Sequence, residues 1–343
     1  MDIAMANGAL KTLFLPFEDG ILPVPGAGGA WLFLGAEVKR DIDPAWKDVL
    51  TALQPFRPDY NALQKAGFQA VSRLEGRESF KGALILLGKH RGRNEAWLAQ
   101  ALRHVEAGGL IVVGGDKKLG IDSFRKTVEK FAPVTDRLSK HHAVAFWFTR
   151  PEALDEVQVE ALVAEPTLVD ARFITAPGMF SHTAIDKGSA LLVKHFAGRI
   201  SGHVADFGAG WGYLASEVLK HPGKLKSLAV YEADFEALEA AKLNLAGATE
   251  LPLSFHWHDV NGEAIAEIYD TIVMNPPFHA GRSADPTMGQ GFIAAAAKRL
   301  KPGGRLLLVA NRQMPYEAGL KALFRSVLPI EDTAGYKIIE AKK

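Results

Sequence analysis

One pattern occurs twice in this 343-residue chain, and the repetition restricts the possible folds more than any other feature. Gly82-Ala83-Leu84-Ile85-Leu86-Leu87-Gly88 reads as a buried strand, Glu95 to Val105 as an amphipathic helix, Gly108-Gly109 as its stop, and Leu110-Ile111-Val112-Val113-Gly114 as a second strand. The same grammar returns with Thr271-Ile272-Val273-Met274 as the strand and Gly289 to Leu300 as the helix. Lys301-Pro302-Gly303-Gly304 is then the stop, and Arg305-Leu306-Leu307-Leu308-Val309-Ala310 the next strand. Strand–helix–strand units build parallel sheets, because the crossover returns the chain alongside itself in the same direction. A chain of this length favours about two domains, and the repeat makes them two copies of one α/β domain. Residues 1–160 and 161–343 are the expected halves, with the acidic, pattern-breaking stretch Pro151 to Val169 near the join. Signals before residue 80 are weaker: Ala30 to Gly35 reads as a strand, and Pro44 to Leu53 as a helix opened by its proline.

Composition removes several classes of protein. With 48% hydrophobic and 23% charged residues the chain can bury a large core and remain soluble. It has no apolar run of bilayer-spanning length and no basic leader before an apolar stretch, so a cytoplasmic location without membrane contact is expected. The absence of Cys removes disulfides and thiolate metal sites. His256-x-His258 puts two imidazoles on one side of a strand, but no third ligand stands at a recognisable spacing and no metal is expected. The net charge of +1 conceals an asymmetry: Lys81 to Arg150 carries thirteen Lys/Arg against six Asp/Glu, leaving the remainder of the chain at −6. Part of the first half can therefore meet a polyanion.

Two turns carry the chemistry. Val204-Ala205-Asp206-Phe207-Gly208-Ala209-Gly210-Trp211-Gly212 is a strand running into a glycine-rich turn, with a helix from Tyr213 to Leu219 behind it. Gly208, Gly210 and Gly212 let a bulky ligand lie against bare backbone at the helix start. A dinucleotide fingerprint needs a different glycine spacing, and Asp206 would repel a pyrophosphate. A sulfonium cofactor with an amino-acid tail is attracted instead, so S-adenosylmethionine fits better than NAD. Leu228-Ala229-Val230-Tyr231-Glu232 ends a second strand in a carboxylate suited to ribose hydroxyls. A third strand, Leu253 to Trp257, leads to Asp259, placed to accept from an adenine amino group.

The other turn is Asn275-Pro276-Pro277-Phe278-His279, directly after the strand Tyr269 to Met274. Two prolines fix two φ angles and remove two donors, so the local carbonyls are free to accept. With the Asn275 amide on one side and the Phe278 ring on the other, the turn suits a flat heterocycle carrying an exocyclic amine. In the first copy the matching turn is read as Gly88-Lys89-His90-Arg91, which has lost the acceptors and gained cations.

These residues resemble the bacterial ribosomal RNA small-subunit guanine-N(2) methyltransferases, two-domain proteins whose N-terminal half is a degenerate copy of the catalytic half. The resemblance covers nearly the whole chain and is strongest from Pro177 to Lys343. Pro177-Gly178-Met179-Phe180-Ser181 with Asp186-x-Gly188-Ser189 is similar to the family's upstream cofactor motif, Asp206 to Gly212 to its glycine motif, and Asn275 to His279 to its catalytic motif. It implies two tandem Rossmann-like class I methyltransferase domains and methyl transfer from S-adenosylmethionine to a guanine amine in ribosomal RNA or the small ribosomal subunit; a monomer is expected because the fused duplicate already provides two domains without a partner. Asn275, Pro276 and Phe278 are the implied catalytic residues. Phe180, Gly188, Ser189, Asp206, Gly208, Gly210, Gly212, Glu232, Asp259 and Asn275 are the implied cofactor contacts. Lys89, Arg91, Arg93 and His279 are the implied RNA contacts. The chain departs from the pattern in having Ala209 and Trp211 within the glycine turn and Glu232 where Asp is often found. Competing readings are a large-subunit guanine, an adenine or a protein glutamine as methyl acceptor, and a non-catalytic RNA-binding assembly factor.

Overall fold

The structure is a computed structural model that describes residues 8–26, 28–76, 78–277, 279–280, 283–284, 286–333 and 335–343. Phe278 lies outside the described residues. The chain divides into two compact units, Met1–Glu165 and Pro166–Lys343. No helix among the described residues is long and apolar enough to cross a membrane.

The first unit runs α1 (Gly8–Glu18), β1 (Trp31–Leu34), β2 (Leu50–Leu53), α2 (Arg57–Lys65), β3 (Gln69–Val71), β4 (Phe80–Leu86), α3 (Arg91–His104), β5 (Val105–Asp116), α4 (Ile121–Val128), β6 (Asp136–Lys140), β7 (Ala143–Thr149) and α5 (Glu156–Glu160). Its seven strands form one sheet in the order β3-β2-β1-β4-β5-β7-β6, in which β7 alone runs against the direction of the other six. Alternate residues of β1 feed opposite faces: Leu32 and Leu34 pack with Ile85 and Ile111, whereas Trp31 and Phe33 pack with Leu84 and Val112. Both faces are covered, which is why these strands read as unbroken apolar runs.

One expected element is corrected here. Pro44 to Leu53 is not a helix: Pro44–Trp46 forms a single 3-10 turn and Leu50–Leu53 is strand β2, buried at every position and parallel to β1. Trp46 anchors the turn. Its ring meets Phe14, Phe17 and Trp31 edge-on at 5.4, 4.9 and 5.5 Å, and tertiary packing of that cluster overrides the local helix signal.

The second unit runs β8 (Thr167–Val169), β9 (Phe173–Thr175), α6 (Lys187–Val193), β10 (Gly202–Phe207), α7 (Tyr213–Leu219), β11 (Leu225–Glu232), α8 (Phe235–Asn244), β12 (Leu253–Trp257), β13 (Tyr269–Met274), β14 (His279–Ala280), β15 (Ser283–Ala284), α9 (Pro286–Arg299), β16 (Leu300–Asn311), α10 (Glu317–Leu323), β17 (Ser326–Asp332) and β18 (Tyr336–Lys342). The main sheet has the order β12-β11-β10-β13-β16-β18-β17, strand for strand that of the first unit. Even the irregularities match. A register slip between Phe80 and Gly82 on β4 recurs between Tyr269 and Thr271 on β13.

The pairings fix which residues correspond. Trp31 faces Leu50 and Gly82 in one sheet, and Val204 faces Leu228 and Thr271 in the other. Counting from these partners, Phe33 occupies the place of Asp206, Gln54 that of Glu232, and Leu86 that of Asn275. The counterpart of the Asn-Pro-Pro turn therefore begins at Leu86 and not at Gly88, because strand β4 ends at Leu86 and the apolar run continues through buried Leu87. Helix α3 opens at Arg91, so Arg91 and Arg93 lie in its first turn and not in the connecting loop.

Trp46 is 2% exposed at the centre of the aromatic cluster. Trp46→Ala is expected to destabilise the first unit by about 3–5 kcal/mol, measured as a lowered denaturant midpoint.

Candidate active site

Strands β10 and β13 are neighbours, β11 and β12 lie to one side and β16 to the other, so the strand order reverses between β10 and β13. A crevice forms beyond the carboxyl ends of the strands at such a point. The two turns singled out in the sequence both leave the sheet here, after Phe207 and after Met274, which are paired in register.

Asp206 is 0% exposed. Among the described residues neither of its carboxylate oxygens has a hydrogen-bond partner. Burial pushes the carboxyl up to about 8; the Ala215 amide draws it back, and the Glu232 charge raises it further. An acid held this way favours a cation or a proton beside it.

The glycine turn follows. Gly208, Gly210 and Gly212 have φ of 73°, 56° and 91°, a region closed to most side chains. Around Gly210 a Cβ would meet nothing within 4 Å, so bare backbone faces open space there. Glu232 supports the turn, its Oε2 accepting from Gly210 N at 2.7 Å and its Oε1 from Asp234 N at 2.8 Å. Burial pushes this carboxyl up to about 7 against the pull of those amides. Gln54 does the same work in the first unit without the charge: its Oε1 accepts from Phe56 N at 2.9 Å and its Nε2 donates to Ala36 O at 2.8 Å. Asp259, beyond β12, is partly exposed and accepts from Asn261 N at 3.0 Å in a tight turn.

Trp211 does not face the crevice. It is 4% exposed and packs against Phe173 and Met179, and its Nε1 donates to the Phe180 carbonyl at 2.9 Å. The contact ties the segment around Phe180 to the glycine turn, and leaves the Phe180 ring 55% exposed.

Asn275 lies just past β13 and is partly buried. Its Nδ2 donates to Asp186 Oδ2 at 3.0 Å and to Ser189 Oγ at 2.9 Å. Asp186 also caps α6, its Oδ2 accepting from Ser189 N at 2.8 Å. Gly188 is glycine for a packing reason, since a Cβ there would come within 2.9 Å of the Tyr336 ring. Pro276 is buried beside Asn275. Of His279 the structure describes the backbone, paired with Ala284.

The structure thus gathers Asp206, Gly208, Gly210, Gly212 and Glu232 around one turn, and Asn275, Gly188 and Ser189 around the other. Lys89 and Arg91 are exposed residues of the first unit, Arg91 pairing with Glu95 at 2.8 Å, and Arg93 is partly buried. Asp186 was not among the expected site residues, although its spacing to Ser189 is that of a helix cap. Its long-range bond to Asn275 has no local signal. His256 lies flat on Tyr231 with ring centroids 4.4 Å apart, and His258 meets the same ring edge-on. Among the described residues no group of three His, Asp or Glu is arranged to hold a metal.

A doubly wound sheet with an acid-led glycine turn at its switch point defines an α/β methyltransferase fold. Residues 170–340 match the methyltransferase small domain, and residues 42–165 its N-terminal companion domain. Ribosomal RNA small subunit methyltransferase C of Pseudomonas putida is 30% identical over 293 residues, which cover 81% of this chain and 87% of that protein. The protein of the same name from Pseudomonas aeruginosa is 28% identical over 96% of this chain and 93% of its own length. The chain belongs to the ribosomal RNA small subunit methyltransferase C family. Its fold is also that of a T. thermophilus 16S rRNA N2 methyltransferase solved with AdoMet and guanosine, with a TM-score of 0.78 at 23% identity over 99% of this chain and 92% of that one.

Both acids of the glycine turn have raised pKa values, so the folded protein keeps protons that the unfolded chain releases above its ordinary carboxylate range. Stability therefore falls as pH rises through that range towards 8. The thermal midpoint of the protein without ligands is expected to drop between pH 5 and pH 8. Asp206→Asn should make the whole fall between pH 5 and pH 8 shallower, with Glu232, half-titrated at about 7, accounting for what remains; an unchanged slope would contradict the burial of a protonated Asp206.

Proposed function

We propose that the chain transfers the methyl group of S-adenosylmethionine to the exocyclic 2-amino group of a guanine in small-subunit (16S) ribosomal RNA. The observation that carries this reading is the Asn275 amide, held with its nitrogen turned inward beside the crevice into which Asp206 and the glycine turn open. The names of the family's members and the guanosine-bound relative support the choice of substrate.

The residues present suit this cofactor. Asp206 offers to the α-ammonium of the amino-acid tail a buried carboxyl without a hydrogen-bond partner among the described residues, Gly210 offers open backbone, and Glu232 stands at the strand end for the ribose hydroxyls. Gly208 and Gly212 shape the turn, Asp259 accepts from the adenine amine, and Phe180 presents an exposed ring at the rim. The bound cofactor supplies a methyl group already activated by a sulfonium. What remains for the protein is alignment of the amine at near-attack distance.

Asn275 Oδ1 and the Pro276 carbonyl accept the two amine hydrogens, which turns the nitrogen lone pair out of conjugation and towards the methyl. Phe278, by its place in the turn, stacks on the base, a contact worth about 1–3 kcal/mol in single-strand readers. The first unit has Phe33, Gln54 and Leu86 in place of Asp206, Glu232 and Asn275, so its role is to hold RNA, with Lys89, Arg91 and Arg93 on phosphates and His279 of the second unit beside the base.

Asn275→Ala is expected to lower turnover by about 100-fold or more while S-adenosylmethionine binding stays normal. Transfer of labelled methyl to unmodified small- and large-subunit RNAs and particles, followed by mapping of the labelled base, tests the reaction itself. Label in an adenine, in protein, or in large-subunit RNA alone would overturn the substrate, and absence of S-adenosylmethionine binding would overturn the enzyme. Replacing Lys89 and Arg91 together should reduce the magnitude of the salt slope of RNA binding by about two. An unchanged slope would remove Lys89 and the start of α3 from the RNA interface.

A further inference from the structure

We infer that Asp186 and Ser189 are positioning residues for methyl transfer: together they fix the Asn275 side-chain amide with its oxygen towards the substrate amine. The inference deepens the reading of Asn275 as an amine acceptor, and rests on it. A primary amide can turn over about its last torsion, exchanging oxygen for nitrogen at little steric cost. In the flipped state Asn275 would present donors to an amine that also donates, and the site would be inactive.

The surroundings decide between the two states. The Asn275 nitrogen carries two hydrogens and has two acceptors, Asp186 Oδ2 at 3.0 Å and Ser189 Oγ at 2.9 Å. Flipping would push the amide oxygen against the Asp186 carboxylate, a contact between two acceptors. With both acceptors in place the observed state is the preferred one.

Both partners are themselves immobile. Asp186 is fixed as the cap of α6 through Ser189 N, at 2.8 Å. Ser189 is 6% exposed, and the close approach of the Tyr336 ring over Gly188 seats the start of the helix. The Ser189 amide and hydroxyl oxygen are thus engaged within the fold, which assigns the pair to Asn275 and not to the cofactor. The first unit shows the corollary. Leu86 stands where Asn275 does, and it lies in an apolar cluster with Ala9 and Leu10 of α1, with no side-chain amide to orient.

The test uses the full-length protein, labelled S-adenosylmethionine and unmodified small-subunit RNA. Ser189→Ala, which leaves one acceptor, is expected to lower kcat about 10-fold, with RNA KM and the S-adenosylmethionine Kd within about twofold of wild type. Asp186→Ala is expected to lower kcat about 100-fold in the same pattern, and Asp186→Asn, which can still cap the helix and accept from the amide, to recover most of the loss. A raised S-adenosylmethionine Kd with unchanged kcat would make these residues cofactor ligands and overturn the inference. So would an Asp186→Asn enzyme no better than Asp186→Ala. Should Asp186→Ala fail to fold, Ser189→Ala still decides, because its hydroxyl caps nothing. Normal turnover by Asn275→Ala would instead overturn the underlying mechanism, an outcome separate from normal turnover by Ser189→Ala alone.

Discussion

A carboxyl at zero exposure, with no hydrogen-bond partner among the described residues, is the constraint around which the second unit is arranged. Asp206 loses its hydration on folding, and the pull of the Ala215 amide does not offset that loss, so its presence opposes stability. The local chain could have neutralised it. Instead, the Gly210 amide, on the turn that follows it, is taken by Glu232, a second acid. Two acids and three left-handed glycines at two adjacent strand ends form a poor way to stabilise a fold and a good way to receive a cation attached to a sugar. The stability given up at this turn would be recovered on binding of a ligand whose ammonium supplied the missing countercharge.

The two units separate what such a sheet needs for folding from what it needs for chemistry. Strand order, parallel register and even the slip on the central strand are shared. Gly35 and Gly208, at equivalent strand ends, have φ of 69° and 73°. Gln54 and Glu232 both tie the end of their strand to the turn that follows the neighbouring one, and only the acid brings a charge. At the place of Asp206 the first unit has Phe33, edge-on to Phe14 at 5.8 Å. Where the ligand would need a buried anion, this unit has an aromatic core. The scaffold tolerates either occupant, so the fold alone does not specify the activity.

The duplication, the parallel strands and both turns were legible in the sequence because each rests on local rules: apolar run length, glycine stops, the stiffness of Pro276-Pro277. Strand β2 was not, since the pattern from Pro44 to Leu53 fits a short helix until Trp46 is packed among Phe14, Phe17 and Trp31. The exact counterpart of Asn275 in the first unit also escaped, because Leu86-Leu87 prolongs an apolar run that the strand itself does not follow. A one-dimensional pattern marks where burial ends, whereas register is set by the partner strand. The partnership of Asn275 with Asp186 and Ser189 spans 89 and 86 residues, and nothing local announces it.

Trp211 shows how a departure from the expected motif can be accommodated. It lies between two left-handed glycines, Gly210 and Gly212, and the turn sends its side chain away from the open backbone of Gly210. The indole enters a small core with Phe173 and Met179, and its N–H holds the Phe180 carbonyl. Asn244 closes the same corner, donating through Nδ2 to the carbonyls of Ile174 and Trp211, both at 2.9 Å. A large residue at this position therefore leaves the floor of the crevice as glycine makes it, and changes only what braces the upstream segment. In a turn this tight, neighbouring residues serve different sides of the sheet's edge, so one can be enlarged for packing while the other stays bare for the ligand.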